Sequence, residues 1–158
     1  MRVGQGLDVH AFSADGGRPL VLGGVAIPGG PGLEGYSDAD VVLHAVVDAL
    51  LGAAALGDLG TVFGTDDPAH AGAASAVFVT EALRLALAGG WAVGNLDCTL
   101  VAQRPRLAPH REAITAAVAG LLGVPPGAVN VKATTTDRLG FTGRGEGIAC
   151  LAVVLLEG

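Results

Sequence analysis

Residues 37–57, SDADVVLHAVVDALLGAAALG, predict one long apolar helix on which the rest of the chain can be arranged. Ser37 is of a type favoured at helix N-caps, and the carboxylates of Asp38 and Asp40 suit the positive first turn. The apolar run ends at Gly57, which we expect to be the C-cap. His44 and Asp48 interrupt the run, so it is too polar to cross a bilayer, which takes about 20 consecutive apolar residues.

Segments that alternate like strands precede this helix. Residues 3–10 show the alternation of side-chain types that is typical of a strand. Residues 20–28 predict a hairpin that turns at Gly23-Gly24. After the helix, residues 58–74 are rich in Gly, Asp and Thr and predict a mobile loop.

The second half of the chain alternates between helical and strand patterns. Helices are predicted from Ser75 to about Ala88 and from Pro109 to about Gly123, with a strand over residues 92–103 between them. Two further strands, 129–136 and 147–156, flank a glycine-rich loop. Strands and helices mixed without strict βαβ alternation predict an α+β fold, a mixed β-sheet with helices packed on one face and a small N-terminal hairpin.

Length and composition limit the class of protein. A chain of 158 residues fits a single domain over residues 1–158. Apolar residues make up 51% of the chain and charged residues only 15%, and this apolar surplus predicts a homo-oligomer with a buried subunit interface. The first residues lack the basic start and apolar stretch of a signal peptide, so we expect a cytoplasmic protein.

The charges are unevenly distributed. The net charge of −6 argues against nucleic acid or an anionic membrane as a partner. Most acids lie before residue 68 and most bases after residue 100, so a metal-binding front half and an anion-binding back half are expected, although surface scatter explains the distribution equally well. Cys98 and Cys150 lack metal-ligand spacing and are expected to be buried, reduced thiols.

Three residues form a candidate metal site. Asp8 and His10 are two apart on a predicted strand, so their side chains emerge on one face. His44 lies on a polar stripe of the helix, at i, i+4 spacing from Asp40 and Asp48. On spacing alone, two alternatives remain open: Asp8 and His10 could be a surface pair on the strand, and the polar stripe could be a solvent-facing edge of the helix. One carboxylate with two imidazoles suits zinc, with a fourth position open for substrate.

The segment Ser37-Asp38-Ala39-Asp40-Val41-Val42-Leu43-His44-Ala45 resembles the signature of the 2-C-methyl-D-erythritol 2,4-cyclodiphosphate synthase family. The similarity continues in GLDVHAF (6–12), LGAAALGD (51–58) and KATTTDRLGFTGRGEG (132–147), which together span most of the chain. The resemblance implies a homotrimer with active sites between subunits. There, a cytidine diphosphate derivative of methylerythritol 2-phosphate is cyclised as its 2-phosphate attacks the β-phosphorus and CMP leaves.

The resemblance also implies roles for particular residues. Asp8, His10 and His44 would bind Zn²⁺, and Asp137 would bind Mg²⁺ or Mn²⁺ on the diphosphate. Thr135 would donate a hydrogen bond to the transferred phosphoryl group, with Tyr36 as a second catalytic donor. Further implied substrate contacts are Asp8, His10, Ser37, Asp58, Leu59, Gly60, Phe63, Gly64, Thr65, Asp66, Asp67, Ala102, Gln103, Arg104, Pro105, Arg106, Leu107, Ala108, Thr134, Thr136, Phe141 and Arg144.

Within that set, residues 63–67 would form a mobile lid and residues 102–108 would contact cytosine. Arg144 would face an axial cavity that can hold a prenyl diphosphate, or would instead form an ion pair with Glu146. Tyr36 stands where the family commonly has His, and Asp137 where it usually has Glu. Gly64-Thr65-Asp66-Asp67 replaces the commoner Pro-Asp-Thr-Asp.

Two other functions remain open at this point. A metal-dependent phosphohydrolase would use the same ligands to activate water, and a non-catalytic trimeric module would bind isoprenoid diphosphates through Arg144. His70 and His110 have no partner at ligand spacing and are expected at the surface.

Overall fold

The long apolar helix lies against a four-stranded sheet. The computed structural model describes residues 1–64 and 68–158. Its elements are β1 Arg2–Ala11, β2 Leu20–Leu22, β3 Val25–Ile27, α1 Val41–Ala54, α2 Leu59–Phe63, α3 Ala76–Ala88, β4 Ala92–Val101, α4 Arg111–Leu122, β5 Val129–Thr134, α5 Gly140–Gly143 and β6 Gly147–Glu157. The described helices include none long and apolar enough to cross a bilayer.

The sheet is mixed, as the sequence predicts. Its strand order is β1-β6-β4-β5, where β6 pairs antiparallel with both β1 and β4, and β4 pairs parallel with β5. Strands β2 and β3 form a separate antiparallel pair. Among the described residues, β1 and β5 have a sheet neighbour on one side only, so they are the two edges of the sheet within this chain.

The core lies between the sheet and the helices. On β4 the alternating residues Leu96, Cys98 and Leu100 are buried, as the sequence pattern predicts. The helix α1 is in extensive contact with β1 and β6. Close packing of β1 on α1 depends on Gly6, because a Cβ there would lie 1.9 Å from the carbonyl oxygen of Ala45. The opposite face of the sheet leaves large apolar side chains exposed: Val3, Leu7, Val9 and Val153.

The start of α1 differs from the prediction. The N-cap is Asp40 and not Ser37, and its carboxylate accepts from the backbone N–H groups of Val42 and Leu43 at 3.1 Å. The same carboxylate accepts from Gly23 and Gly24 at 2.8 and 2.7 Å, which ties the β2–β3 turn to the helix. Burial raises the pKa of Asp40 to about 6, and the bonds from the backbone N–H groups only partly oppose this effect.

The end of α1 and the segment after it also differ. The helix ends at Ala54, and its C-cap is Ala55, in left-handed conformation, two residues before the predicted Gly57. The predicted loop over residues 58–74 contains α2 and a 3₁₀ turn at Pro68–His70. Asp58 caps α2 by accepting from Thr61 N–H at 2.7 Å, and Asp48 on α1 accepts from Leu59 N–H at 2.8 Å. These two carboxylates therefore organise the segment.

Candidate metal and substrate site

Asp8, His10 and His44 converge on one point, and we call these three residues the metal cluster. Asp8 Oδ2 lies 2.9 Å from His10 Nε2 and 3.0 Å from His44 Nδ1, and the two imidazole nitrogens are 3.1 Å apart. In the described part of the chain this is the one group of three His, Cys, Asp or Glu residues with such close ligand atoms. The structure thus brings the predicted ligands together.

The fold explains the convergence. Asp8 and His10 occupy alternate positions of β1, on the side that faces α1, and His44 lies in the first turn of that helix. Gly6, two residues before Asp8, lets the helix approach the strand closely. The cluster therefore lies between two rigid elements.

The protonation of the cluster follows from its contacts. Burial alone would raise the pKa of Asp8, but the hydrogen bonds and charge that the His10 and His44 rings supply when they are protonated hold it below its ordinary value. Burial alone would lower the pKa of His10, but the hydrogen bond and charge of Asp8 raise it above its ordinary value. His10 Nδ1 contacts the carbonyl oxygen of Glu34 at 2.5 Å. Since a carbonyl only accepts, Nδ1 donates and Nε2 is left to face the cluster.

The donor set fits a zinc ion. Tetrahedral zinc with bonds of about 2.0–2.1 Å separates its ligand atoms by about 3.3 Å, and the cluster atoms are 2.9–3.1 Å apart. One carboxylate oxygen and two imidazole nitrogens are ligand types that zinc accepts, with a fourth position left for another group.

Two cavities adjoin the metal cluster. A cavity of about 250 Å³ is lined by Asp8, His10, Tyr36, Ser37, His44, Leu59, Gly64, His70 and Phe78. A second, of about 290 Å³, is lined by Asp8, His44, Asp48, Asp58, Leu59 and Gly60. His70, expected at the surface, is half-buried, and its ring packs edge-on against Phe78, with the centroids 5.0 Å apart, beside the cluster.

A second group of predicted site residues lies at the end of β5, and we call Thr134, Thr135 and Asp137 the threonine group. Its cavity of about 260 Å³ is lined by Ala102, Gln103, Pro105, Arg106, Leu107, Ala108, Ala133, Thr134 and Thr135. Thr135 Oγ1 accepts from the N–H of Asp137 at 3.2 Å and lies 3.3 Å from its carboxylate. Because β5 ends at Thr134, the three consecutive threonines do not simply alternate along a strand.

The metal cluster and the threonine group lie at opposite edges of the sheet. Val9 on β1 is aligned with Ala149 on β6, Ala149 with Val101 on β4, and Val101 with Thr134 on β5. Three strand spacings separate the two groups by about 14 Å. A single chain therefore holds the two halves of the predicted site apart.

The remaining predicted residues have other positions. Arg144 forms a bidentate ion pair with Glu146, with nitrogen–oxygen distances of 2.7 and 3.2 Å, and Phe141 is 41% exposed beside it on α5. Thr136 Oγ1 contacts Thr142 Oγ1 at 3.0 Å. Phe63 on α2 packs against Phe78 with the ring centroids 5.1 Å apart and the ring planes tilted by 57°. The predictions for Thr65, Asp66 and Asp67 fall outside the described residues.

Sequence reasoning missed two residues that contact His44 or its partners. Ser75 Oγ lies 2.9 Å from His44 Nε2, and Asp38 accepts from both the hydroxyl and the N–H of Ser75. Ser75 precedes α3, as predicted, but its side chain makes no capping hydrogen bond. The sequence carries one signal of this contact. Two carboxylates, Asp38 and Asp40, precede α1, and because only one of them caps the helix, the other is available to a different partner.

Known proteins of one family match this chain over nearly its whole length. A model of the YgbB family matches residues 1–157. A 2-C-methyl-D-erythritol 2,4-cyclodiphosphate synthase from Escherichia coli is 56% identical over 156 residues, which cover 99% of this chain and 97% of that protein. The protein of the same name from Yersinia pseudotuberculosis is also 56% identical, over 99% of this chain and 96% of its own length.

Solved structures share the fold. The bifunctional IspDF from Campylobacter jejuni superposes with a TM-score of 0.93 and 40% identity, where this chain covers 42% of that longer protein. A CDP-bound 2C-methyl-D-erythritol-2,4-cyclodiphosphate synthase gives a TM-score of 0.89 and 37% identity over 99% of this chain and all of that chain. The CDP complex of IspF from Plasmodium falciparum gives 0.85 and 33% over 98% of this chain and 94% of that chain.

Proposed function

The chain belongs to the YgbB family, and from that premise we propose that it is a cyclising, CMP-releasing phosphorus–oxygen lyase. It converts 4-diphosphocytidyl-2-C-methyl-D-erythritol 2-phosphate into 2-C-methyl-D-erythritol 2,4-cyclodiphosphate and CMP, in the non-mevalonate isoprenoid pathway. The observation that carries this proposal is the 56% identity to curated synthases over 99% of the chain, together with the convergence of Asp8, His10 and His44. The family match spans residues 1–157, which supports one domain.

The reaction requires positioning and charge neutralisation, with no protein nucleophile. An oxygen of the 2-phosphate forms a bond to the β-phosphorus, the bond from that phosphorus to the CMP oxygen breaks, and CMP leaves with the electron pair. Crowded phosphate groups repel one another, so the site must hold the substrate folded and neutralise its charge.

The metal cluster would neutralise part of that charge. We propose that Asp8, His10 and His44 hold Zn²⁺, which, when bound, supplies positive charge next to a substrate phosphate. Ser37 and Tyr36 line the same cavity, and the Tyr36 phenol can donate one hydrogen bond to a phosphate oxygen. Asp58, Leu59 and Gly60 line the adjoining cavity, where the Asp58 carboxylate would accept from the methylerythritol hydroxyls.

The threonine group would act on the other end of the substrate. Thr135 would turn its hydroxyl from Asp137 to the phosphoryl group in transfer, where a donor aimed at developing charge is most effective. The carboxylate of Asp137 would hold Mg²⁺ or Mn²⁺ on the diphosphate. The backbone of residues 102–108, around the neighbouring cavity, would contact cytosine.

A homotrimer would join these two halves. We propose that the metal cluster of one subunit and the threonine group of the next form each active site, since one chain separates them by about 14 Å. The exposed apolar sheet face, with Val3, Leu7, Val9 and Val153, supports burial against other subunits.

Phe141 and Arg144 would bind a prenyl diphosphate at the trimer axis once Arg144 leaves Glu146. Free Cys98 and Cys150 suit the reducing cytoplasm.

Phosphorus NMR tests the proposed reaction. The purified protein, supplied with zinc, magnesium and the cytidine diphosphate substrate, should produce the cyclic diphosphate and CMP in equal amounts. Inorganic phosphate or open-chain products would instead indicate a phosphohydrolase. Binding of the substrate without any product would indicate a non-catalytic module.

A pair of histidine variants tests the metal cluster. His44→Ala removes one of three zinc ligands, so zinc retention after dialysis and turnover should be lost together. His110→Ala makes the same change outside the cluster and should leave both unchanged. Turnover by a zinc-free His44→Ala protein would contradict the proposed role.

A further inference from the structure

The side of the His44 ring that faces away from the metal cluster has its own hydrogen-bond partners. Nδ1 of His44 faces Asp8 and His10, whereas Nε2 points away from them to the hydroxyl of Ser75 at 2.9 Å. Ser75 is fully buried, and Ser37, also buried, has its hydroxyl 3.2 Å from the same Nε2. Two hydroxyls are therefore available to one ring nitrogen.

The directions of these hydrogen bonds are determined by Asp38. A carboxylate only accepts, so the Ser75 hydroxyl donates its single proton to Asp38 Oδ1, while the Ser75 N–H donates to Oδ2 at 3.0 Å. With its proton committed, the Ser75 oxygen can only accept. The 2.9 Å contact with this oxygen therefore assigns the donor role to His44 Nε2, and Ser37 can donate to Ser75 across 3.4 Å instead of to Nε2 across 3.2 Å.

A neutral imidazole carries one proton, so a proton on Nε2 leaves a lone pair on Nδ1. That lone pair points toward the Asp8 oxygen at 3.0 Å and the His10 nitrogen at 3.1 Å. The Glu34 carbonyl leaves a lone pair on His10 Nε2 in the same way. Three acceptor atoms this close together repel one another unless a cation lies among them.

We propose that Asp38 and Ser75 are positioning residues that hold His44 in the tautomer able to bind a metal through Nδ1. The inference rests on the proposed role of His44 as a metal ligand. It assigns to Asp38 and Ser75 a part in metal affinity that goes beyond joining the start of α1 to the start of α3. Partners of this kind, which orient a ligand without touching the metal, commonly change metal affinity about 10–100-fold when removed.

A matched pair of serine variants tests the proposal. In Ser75→Ala, the Ser37 hydroxyl loses its acceptor and turns to donate to Nε2, which moves the proton of His44 to Nδ1. Zinc affinity, measured by competition with a chromogenic chelator, should fall about 10–100-fold. In Ser37→Ala, the Asp38–Ser75–His44 chain is intact, so zinc affinity should change far less. Equal losses in the two variants, or none in Ser75→Ala, would overturn the proposal.

Nitrogen-15 NMR of the imidazole rings in metal-free protein at alkaline pH gives a second readout, with His44→Gln used to assign the signals. Wild type and Ser37→Ala should show the Nε2–H tautomer of His44, and Ser75→Ala should show the Nδ1–H tautomer. The Nδ1–H form in wild type would refute the proposal even if Ser75→Ala did not fold. Neither measurement uses substrate, so a failure here is distinct from a failure of cyclisation.

Discussion

At the residue scale, the metal cluster is a site where a proton and a metal compete. His10 must present an unprotonated Nε2 to bind a metal, yet the hydrogen bond and charge of Asp8 raise its pKa above the ordinary 6.5. Asp8 has a pKa held below its usual value, so it stays a carboxylate through the neutral range. Protonation of His10 therefore sets the lower pH limit of metal binding.

We expect zinc affinity to fall steeply as the solution is acidified. Below the raised pKa of His10, each zinc ion must displace at least one proton, which lowers the apparent affinity by at least about tenfold per pH unit. Calorimetric titration of metal-free protein with zinc, in buffers of different ionisation enthalpy, measures both the affinity and the protons released. An affinity that stays constant from about pH 8 to about pH 5.5, without proton release, would contradict this assignment.

At the element scale, the contact between β1 and α1 positions the cluster. Gly6 has no room for a side chain, since a Cβ would lie 1.9 Å from Ala45 O and 2.8 Å from Ala49 N. Gly6→Ala should destabilise the protein by about 3 kcal/mol in denaturant unfolding, because an overpacked backbone contact forces the helix away from the strand. The same shift moves His44 from Asp8, so zinc affinity should fall as well.

Gly16→Ala is the matched control for this change. No atom of the described residues lies within 4 Å of a Cβ built at Gly16, so the stability and zinc affinity of this variant should stay close to those of wild type. A Gly6→Ala protein as stable as the Gly16→Ala protein would show that the strand and helix can separate at little cost.

Local patterns predict most elements of this fold but not their junctions. The alternation of Leu96, Cys98 and Leu100 identifies β4 because burial of one strand face is a local property. Local sequence misplaces the cap of α1, because Asp40 is held by Gly23 and Gly24, which are distant in sequence. Local sequence cannot report such partners.

The same limit applies to the site. Spacing predicts that Asp8 and His10 share a strand face and that His44 lies on a polar stripe of the helix, because strand and helix geometry are local. The family resemblance then joined these three residues in one site. The contacts of Ser75 with Asp38 and His44 span more than 30 residues and depend on how α3 packs beside α1. A serine before a helix looks like an ordinary N-cap in sequence, so its different role became visible only in three dimensions.

At the scale of the whole molecule, the exposed apolar sheet face should be the subunit interface. Val153 on β6 is 40% exposed on this face, and Val153→Asp would bury a charge there if subunits pack against it. Light scattering coupled to size exclusion should show a shift from trimer to monomer, with turnover lost and zinc still retained. Val77→Asp, at a 52% exposed position on α3, should leave the trimer intact. A trimeric Val153→Asp protein would place the interface elsewhere.

A site shared between subunits has a stronger consequence, because two inactive variants could then repair one another. His44→Ala destroys the metal cluster and leaves the threonine group intact, while Thr135→Ala does the reverse. In a ring with head-to-tail contacts, a Thr135→Ala subunit beside a His44→Ala subunit forms one complete site. Unfolding the two variants together and refolding them at equal amounts should restore about a quarter of wild-type turnover, the fraction of contacts with the productive order under random assembly. Each variant refolded alone should stay inactive. If both groups served one site within a single chain, despite the two strands between their edges, the mixture would be as inactive as its components.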